Sequence, residues 1–481
     1  MQPPVPRTWI AGAPTPNAAP TLRRDLFDPN TGDLLQTYSF SSDGQVDAAI
    51  AAAVRTHRSG LWARADLAER AAVLAAFATQ LEQAADDIAA LDAINSGVPV
   101  RFTRLFAQSL PGTVRRAVQL AQQQAAARWL EADGRSVQLR RVPWGPTALL
   151  LPWNAPAAVL VKNLTYALIA GAPVVAKPSP ESPWSAELIA AALAAAGVPD
   201  GVFGLIHGDA HVGALVAGDS RIRAISMTGS TETGRRVASR AGGNLTRLRL
   251  ELGSNNPALV LADADLAVTA RALASGFTKL NGQWCEAPRV VHAHHRLVPA
   301  LVEAVVAEIE QLRLGPSTHP EVTFGPLAFA DRRAVLEGQI QQMVTAGAGH
   351  LAPLPSPEHG WFLSPTLLVG DDIPLPGEIF GPVLAISPVL DDAQAVTRAN
   401  GLGGGLAGYV FTGDEERGMA VGAQIVAGEV KLNGTSLLDM AADSAQSFFG
   451  TSGLGGHGDR DVLEFFAGKQ VVGADLLDPV I

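Results

Sequence analysis

In the first third of the chain the apolar positions recur at helical spacing. Val46, Ile50 and Val54 share one face of a helix that Ser42-Asp43 can cap. Leu67, Val73, Leu74, Phe77, Leu81, Ile88 and Leu91 mark a longer helix over residues 67–93. From about residue 146 the rhythm changes. Short apolar strands over 148–151, 173–176, 202–206 and 222–227 are separated by helices near 162–170 and 185–196. Strand–helix alternation of this kind predicts a parallel sheet with helices on both faces. Such sheets bind nucleotides at the carboxyl ends of their strands. A second α/β stretch starts at Asn256–Leu261 and continues past 430. Residues 129–142, and the tail from about 463, read as extended pieces with no core of their own. The alternation in Ser136-Val137-Gln138-Leu139-Arg140 suits an exposed strand, and unpaired strands invite pairing with another chain.

At 481 residues the chain exceeds what one hydrophobic core organises, so two or more domains are expected. A net charge of -10 argues against nucleic acid or an anionic membrane as partner. The single cysteine permits no internal disulfide and fits a reducing cytoplasm. The opening MQPPVPRTWI lacks a basic segment followed by an apolar run, so no signal peptide is expected. The apolar stretch Val142–Val161 holds Pro143, Pro146, Pro152 and Pro156, which suit strands and turns rather than a membrane helix. No internal repeat and no metal-ligand pattern is seen.

Four segments could carry chemistry. Cys285 follows Asn281-Gly282, a turn signal after the helix predicted over 266–280. A lone cysteine is commonly a small buried apolar residue, but on such a loop it can be an exposed nucleophile, provided its surroundings favour the thiolate. Glu251 ends a strand in which Leu248, Leu250 and Leu252 alternate with Arg247, Arg249 and Glu251. Periodicity alone reads the polar side as a solvated face. The Gly-Ser-Asn-Asn-Pro turn that follows puts Glu251 at a strand's carboxyl end, where α/β sheets place functional groups. Asn154 stands in Pro152-Trp153-Asn154-Ala155-Pro156, either as a turn residue or as a rigid amide aimed at developing negative charge. Thr228-Gly229-Ser230-Thr231-Glu232-Thr233-Gly234 joins a strand to a helix and offers free N–H groups to a pyrophosphate, without the three spaced glycines of the common dinucleotide fingerprint.

In this order the segments resemble the aldehyde dehydrogenase superfamily. The resemblance runs from Asp28-Pro29-Asn30-Thr31-Gly32 through Pro152-Trp153-Asn154, Val175-Ala176-Lys177-Pro178-Ser179, Thr228-Gly229-Ser230-Thr231, Glu251-Leu252-Gly253 and Gly282-Gln283-Trp284-Cys285. It continues to Ser364-Pro365-Thr366-Leu367 and Glu378-Ile379-Phe380-Gly381-Pro382-Val383. It implies NAD(P)-dependent oxidation of an aldehyde to a carboxylic acid through a hemithioacetal and thioester on Cys285. Glu251 would be the general base and Asn154 the side chain of an oxyanion hole shared with the Cys285 N–H. The cofactor, NAD or NADP with NAD slightly preferred, would lie among Leu151, Pro152, Trp153, Lys177, Ser179, Gly208, Gly229, Ser230, Leu252, Glu378 and Phe380.

The implied fold is α/β: two Rossmann-like parallel-sheet domains plus a small β oligomerisation arm. Residues 1–128 and 147–251 would form the cofactor-binding domain, 252–445 the catalytic domain, and 129–146 with 463–481 the arm of a homodimer or homotetramer. The chain departs from the family at several places. Pro180 stands where a ribose-binding glutamate is frequent, with Glu181 one residue late, and this leaves NADP open. Asn163 stands where a lysine is frequent, with Lys162 one residue early and assigned no role. Ser254 replaces a glycine, and Glu286 directly follows the nucleophile. Trp284, Phe448 and Phe449 fit an apolar or aromatic aldehyde, or equally ordinary core packing. The rivals are an enzyme that passes its acyl group to coenzyme A, which has less need of Glu251, and a non-catalytic binding or structural member of the fold.

Overall fold

The computed structural model describes residues 2–19, 22–124, 127–132, 135–438, 440–441 and 444–474. The strands expected between 148 and 227 form as Thr147–Leu150, Val174–Lys177, Phe203–Leu205 and Ala224–Thr228, and Arg247–Glu251 joins them. These five lie parallel in an eight-stranded sheet. Antiparallel pieces close its edges: Arg7–Ile10 and Ala13–Pro16 on one side, Gly453–Leu454 on the other. Both faces are covered, so neighbouring residues of one strand enter different cores. Leu149 and Ala176 pack with Leu74, Phe77, Leu81 and Leu164, whereas Ala148, Leu150 and Val175 pack with Val46, Ile50 and Val212.

The capped helix begins as expected. Ser42 accepts from the Gln45 N–H, Gln45 closes a capping box, and the helix runs Asp43–Ser59. The longer helix covers Leu67–Ser96 and stops at Gly97, whose φ of 73° is left-handed. A Cβ at Gly97 would come 2.2 Å from the Pro326 carbonyl oxygen, so this glycine also admits a loop from the other half of the molecule.

The second sheet has seven strands in the order Gly349–Leu351, Thr366–Val369, Val383–Val389, Pro288–His294, Asn256–Val260, Ala407–Phe411, Glu429–Leu432. All are parallel except the first, an antiparallel edge. The fold is thus the expected pair of Rossmann-like sheets. Residues Ala127–Ala132, Arg135–Pro143 and Ala467–Gly473 form a separate three-stranded antiparallel sheet. The tail differs from its extended reading at one point: Asp459–Phe465 is a helix, since Val462, Leu463 and Phe466 are buried in the first core. Residues 475–481 of the expected arm lie outside the described residues. Among the described residues no helix is long and apolar enough to cross a membrane.

In the first sheet the chain moves outward from Thr147–Leu150 through Val174–Lys177 to Phe203–Leu205. It then returns to the opposite side of Thr147–Leu150 with Ala224–Thr228. The order of strands reverses between those two, and their carboxyl ends open the crevice where such sheets bind ligands.

Candidate active site

A cavity of about 1230 Å³ lies at that reversal. Leu151, Pro152, Trp153 and Asn154 enter it after one strand, Lys177 at the end of the next with Ser179 following, and Gly229 and Ser230 after Ala224–Thr228. Ser230 caps the helix Thr231–Gly242, accepting from the Thr233 N–H, so the positive end of that helix faces the cavity. Burial lowers Lys177 to about 8, against the nearby Asp209, which raises it. Glu378 and Phe380 close the wall opposite, and Trp153 meets Phe380 edge-on at 5.4 Å. A Cβ at Gly253 would come 2.0 Å from the Glu378 carboxylate, so a larger residue there would displace that side chain. Thr228 Oγ1 and Arg332 Nε and Nη2, which belong to residues of this wall, are buried without a hydrogen-bond partner among the described residues. Unmatched polar atoms in an apolar wall suit a polar coenzyme.

Cys285, half-buried, lies at the same cavity, on a loop at the amino end of Pro288–His294. Its loop is bent by left-handed residues: Leu280, Asn281 and Gly282 have φ of 51°, 56° and 76°. Buried side chains hold that shape. Asn281 donates to Gly97 and Pro326 carbonyls and accepts from the Gly325 N–H. Gln283 donates to the Ser96 carbonyl and accepts from the Ala328 N–H. Arg289, 1% exposed, donates to the carbonyls of Gly381, Gly282 and Trp284. Asn256 donates to the carbonyls of Cys285 and Ala287.

Sγ of Cys285 is 3.9 Å from Oε1 of Glu251, and Asn154 Nδ2 donates to the Gln283 carbonyl at 2.9 Å. That contact uses one of the two amide hydrogens of Asn154. Burial and then the carboxylates of Glu251, Glu286 and Glu378 push the thiol well above its ordinary value, and its own N–H offsets only part. Burial pushes Glu251 up as well, but His457, Arg249 and Lys162 more than offset this and hold it at about 2. Glu286 is raised to about 7, first by burial and then by Glu251 and Glu429. Among the described residues no group of His, Cys, Asp or Glu is arranged to hold a metal ion.

The sequence profile of the aldehyde dehydrogenase family matches residues 17–472. The chain belongs to the aldehyde dehydrogenase family. It is 30% identical to 3,6-anhydro-alpha-L-galactose dehydrogenase of Streptomyces coelicolor, over 90% of this chain and 89% of that protein. It is 29% identical to phenylacetaldehyde dehydrogenase of Pseudomonas fluorescens, again over 90% and 89%. The crystal structure of an indole-3-acetaldehyde dehydrogenase complexed with NAD+ superposes with a TM-score of 0.93 at 26% identity, covering 99% of this chain and 97% of that one.

In this aldehyde dehydrogenase the residues given catalytic or coenzyme roles from the sequence all line the one cavity, except Gly208. A Cβ at Gly208 would come 2.2 Å from Val212 Cγ2, so that glycine serves close packing of the loop on the helix Ala210–Gly218, while its neighbour Asp209 takes the cavity wall. The polar face of the Glu251 strand is solvated only at its start, where Arg247 is exposed. Arg249 is 2% exposed, because the C-terminal residues 453–457 cover that edge. Arg249 and His457, both facing Glu251, escaped the sequence reading. The only signal was the glycine run from Gly453 to Gly458, which lets that segment pass close to the sheet. Trp284 packs with Val98, Leu280, Ala287, Phe102 and Phe106 beside Cys285, Phe448 is buried under Arg249, and Phe449 is exposed.

Proposed function

We propose that this NAD(P)-dependent aldehyde dehydrogenase oxidises its aldehyde through a covalent acyl group on Cys285. The observation that carries the reading is the meeting of Cys285, Glu251 and Asn154 at one end of a coenzyme-sized crevice. The thiol, held high by its surroundings, gives its proton up as sulfur adds to the aldehyde carbon, with Glu251 Oε1 the nearest acceptor. Asn154 and the Cys285 N–H steady the oxyanion of the hemithioacetal. The nicotinamide coenzyme, when bound, supplies the hydride acceptor that leaves a thioester. Glu251 then takes a proton from the water that releases the carboxylic acid. Lys177, Ser179, Gly229, Ser230, Glu378 and Phe380 would hold the coenzyme.

The cluster of Trp284, Phe102 and Phe106 beside the sulfur supports an apolar or aromatic aldehyde, and the phenylacetaldehyde and indole-3-acetaldehyde enzymes among its relatives agree with that. The exposed Trp129, Val471 and Val472 on the three-stranded sheet support an arm that pairs with a second copy of the chain in a homodimer or homotetramer of the cytoplasm. Residues 1–128 with 147–251, 252–445, and 129–146 with 463–481 remain our division into cofactor domain, catalytic domain and arm.

The test is formation of reduced coenzyme by the purified protein with aliphatic and aromatic aldehydes, NAD and NADP separately, beside Cys285→Ala. Turnover that falls on the order of 10⁴-fold or more in the variant is expected. Turnover that survives loss of Cys285 overturns the covalent reading.

A further inference from the structure

A general base must offer one oxygen to the reacting centre while its other oxygen is held. In Glu251, Oε1 faces Cys285 and Oε2 faces two nitrogens: Nη2 of Arg249 at 3.6 Å and Nδ1 of His457 at 3.8 Å. The guanidinium is immobile. Its Nε donates to the Gly456 carbonyl at 2.8 Å, and its Nη1 reaches Asn163 Oδ1 and Ser226 Oγ, each at 3.3 Å. The cation that faces Glu251 therefore also pins the segment that carries His457. A Cβ at Gly456 would come 2.5 Å from the Gln446 carbonyl oxygen, so only glycine lets this segment lie there.

On the far side of the imidazole, Nε2 is 3.1 Å from Lys162 Nζ, and Lys162 is 3.7 Å from Asp459. An ammonium group has donors and no acceptor, so Lys162 donates to Nε2. The ring's own proton then stands on Nδ1, the nitrogen turned to Glu251. Nδ1 is buried and has no hydrogen-bond partner among the described residues.

We propose that His457, its tautomer set by Lys162, is a positioning residue for Glu251: Nδ1–H closes the 3.8 Å to Oε2 and leaves Oε1 to take the proton of the hydrolytic water. The proposal rests on the reading of Glu251 as general base. In the step it serves, the water oxygen bonds to the acyl carbon and its proton passes to Oε1. The carbon–sulfur bond then breaks, and the sulfur leaves as thiolate and recovers the proton from Glu251. The products are a carboxylic acid and the free thiol, and water is the sole co-reactant. The charged groups around the ring are Glu251 and Arg249 on their strand, Lys162 behind it, Glu286 beyond Cys285, and Asp459 and Asp461 on the helix that follows. Without the imidazole Glu251 loses the first of the influences that hold it low, so its carboxyl rises.

4-Nitrophenyl acetate acylates a thiol without coenzyme. With the full-length protein, the burst of nitrophenolate counts acylated Cys285 and the steady rate reports hydrolysis. In His457→Phe the burst is retained and the steady rate falls roughly tenfold, below the ~10²–10⁴ contributed by a general base itself. Its acid limb also moves to higher pH. His457→Asn, which places an amide N–H where Nδ1–H stands, recovers most of both. Lys162→Met lowers the steady rate in the same direction by a smaller factor. A wild-type steady rate and pH limb in His457→Phe overturns the proposal. Equal impairment of the Phe and Asn variants with an unmoved limb also overturns it, since that marks a packing role. Glu251→Gln is run beside them with His457 intact. If that variant hydrolyses at the wild-type rate, the reading of Glu251 itself fails and takes the proposal with it.

Discussion

The wall of the crevice and the loop that carries Cys285 are held in different ways. Along the first sheet each lining residue stands directly after the strand that delivers it: Leu151 to Asn154 after Thr147–Leu150, Ser179 after Val174–Lys177, and Gly229 and Ser230 after Ala224–Thr228. The backbone ladder and the two flanking cores fix these positions, and the side chains need little help. The loop from Leu280 to Cys285 has left-handed backbone, no ladder, and carbonyls that point into the protein. Its shape comes from its own buried amides, Asn281 and Gln283, which bond backbone groups of residues 96–97 and 325–328, and from the side chains of Arg289 and Asn256, which hold its carbonyls. A wall built on a sheet tolerates change in a single side chain. A loop built on buried amides does not, because each lost partner leaves a backbone group buried and unpaired.

Three substitutions test that contrast, the largest effect first. Asn154→Ala removes the proposed oxyanion donor from the rigid wall. It should lower kcat by about 10²–10³ with little change in coenzyme affinity, measured by steady-state kinetics and coenzyme titration. A kcat near wild type would remove Asn154 from the chemistry. Asn281→Ala empties a buried site that satisfies Gly97, Pro326 and Gly325. The expected loss is about 3 kcal/mol of stability in denaturant unfolding, given ~1–3 kcal/mol for each buried group left unpaired. An unchanged midpoint would show that the loop holds its own shape.

Glu286→Gln is subtler. Glu286 is raised in the folded chain to about 7, so its carboxyl leaves stability intact below its ordinary value near 4.5 and costs stability as pH rises from there through about 7. The variant should therefore melt higher than wild type at pH 8 and equally at pH 4. It should also alkylate faster at Cys285 by roughly three- to tenfold, because one of the carboxylates that raise the thiol is gone. Equal melting at pH 8 would show that the charge is solvated.

The same contrast explains what was legible in the sequence. Strand–turn–helix order carries its functional residues in consecutive positions, and so the first sheet and its crevice were readable from 147 to 251. The helix Val100–Gln123 was not, because Pro111 and Gly112 interrupt its pattern at the centre. Arg249 read as solvated because alternation along one strand cannot show what covers its edge. The cover comes from about two hundred residues later in the chain, with Gly456 accepting from Arg249. Asn163, which looked like a lost lysine, is a buried bridge between Ser226 and Arg249. Its meaning depends on two strands that meet it only in space.

The smallest effect lies at the end of the crevice proposed for the adenosine. Pro180 stands where an acidic residue would accept from a ribose hydroxyl, and the next residue, Glu181, is occupied: both its oxygens face Arg24, with Nε donating to Oε2 at 3.1 Å. Arg24, Lys177 and Glu181 line the same cavity, so the carboxylate that would repel a 2′-phosphate is matched by a guanidinium. Arg24→Ala leaves Glu181 unpaired and facing the coenzyme. Arg24 is partly exposed, so the pair is screened by water and its loss should be worth less than about 1 kcal/mol. The ratio of NADP to NAD dissociation constants, measured by calorimetric titration of each coenzyme, should then rise by roughly three- to fivefold. If the ratio stays fixed, the Arg24–Glu181 pair only ties the N-terminal hairpin to the sheet, and coenzyme choice is made elsewhere on the wall.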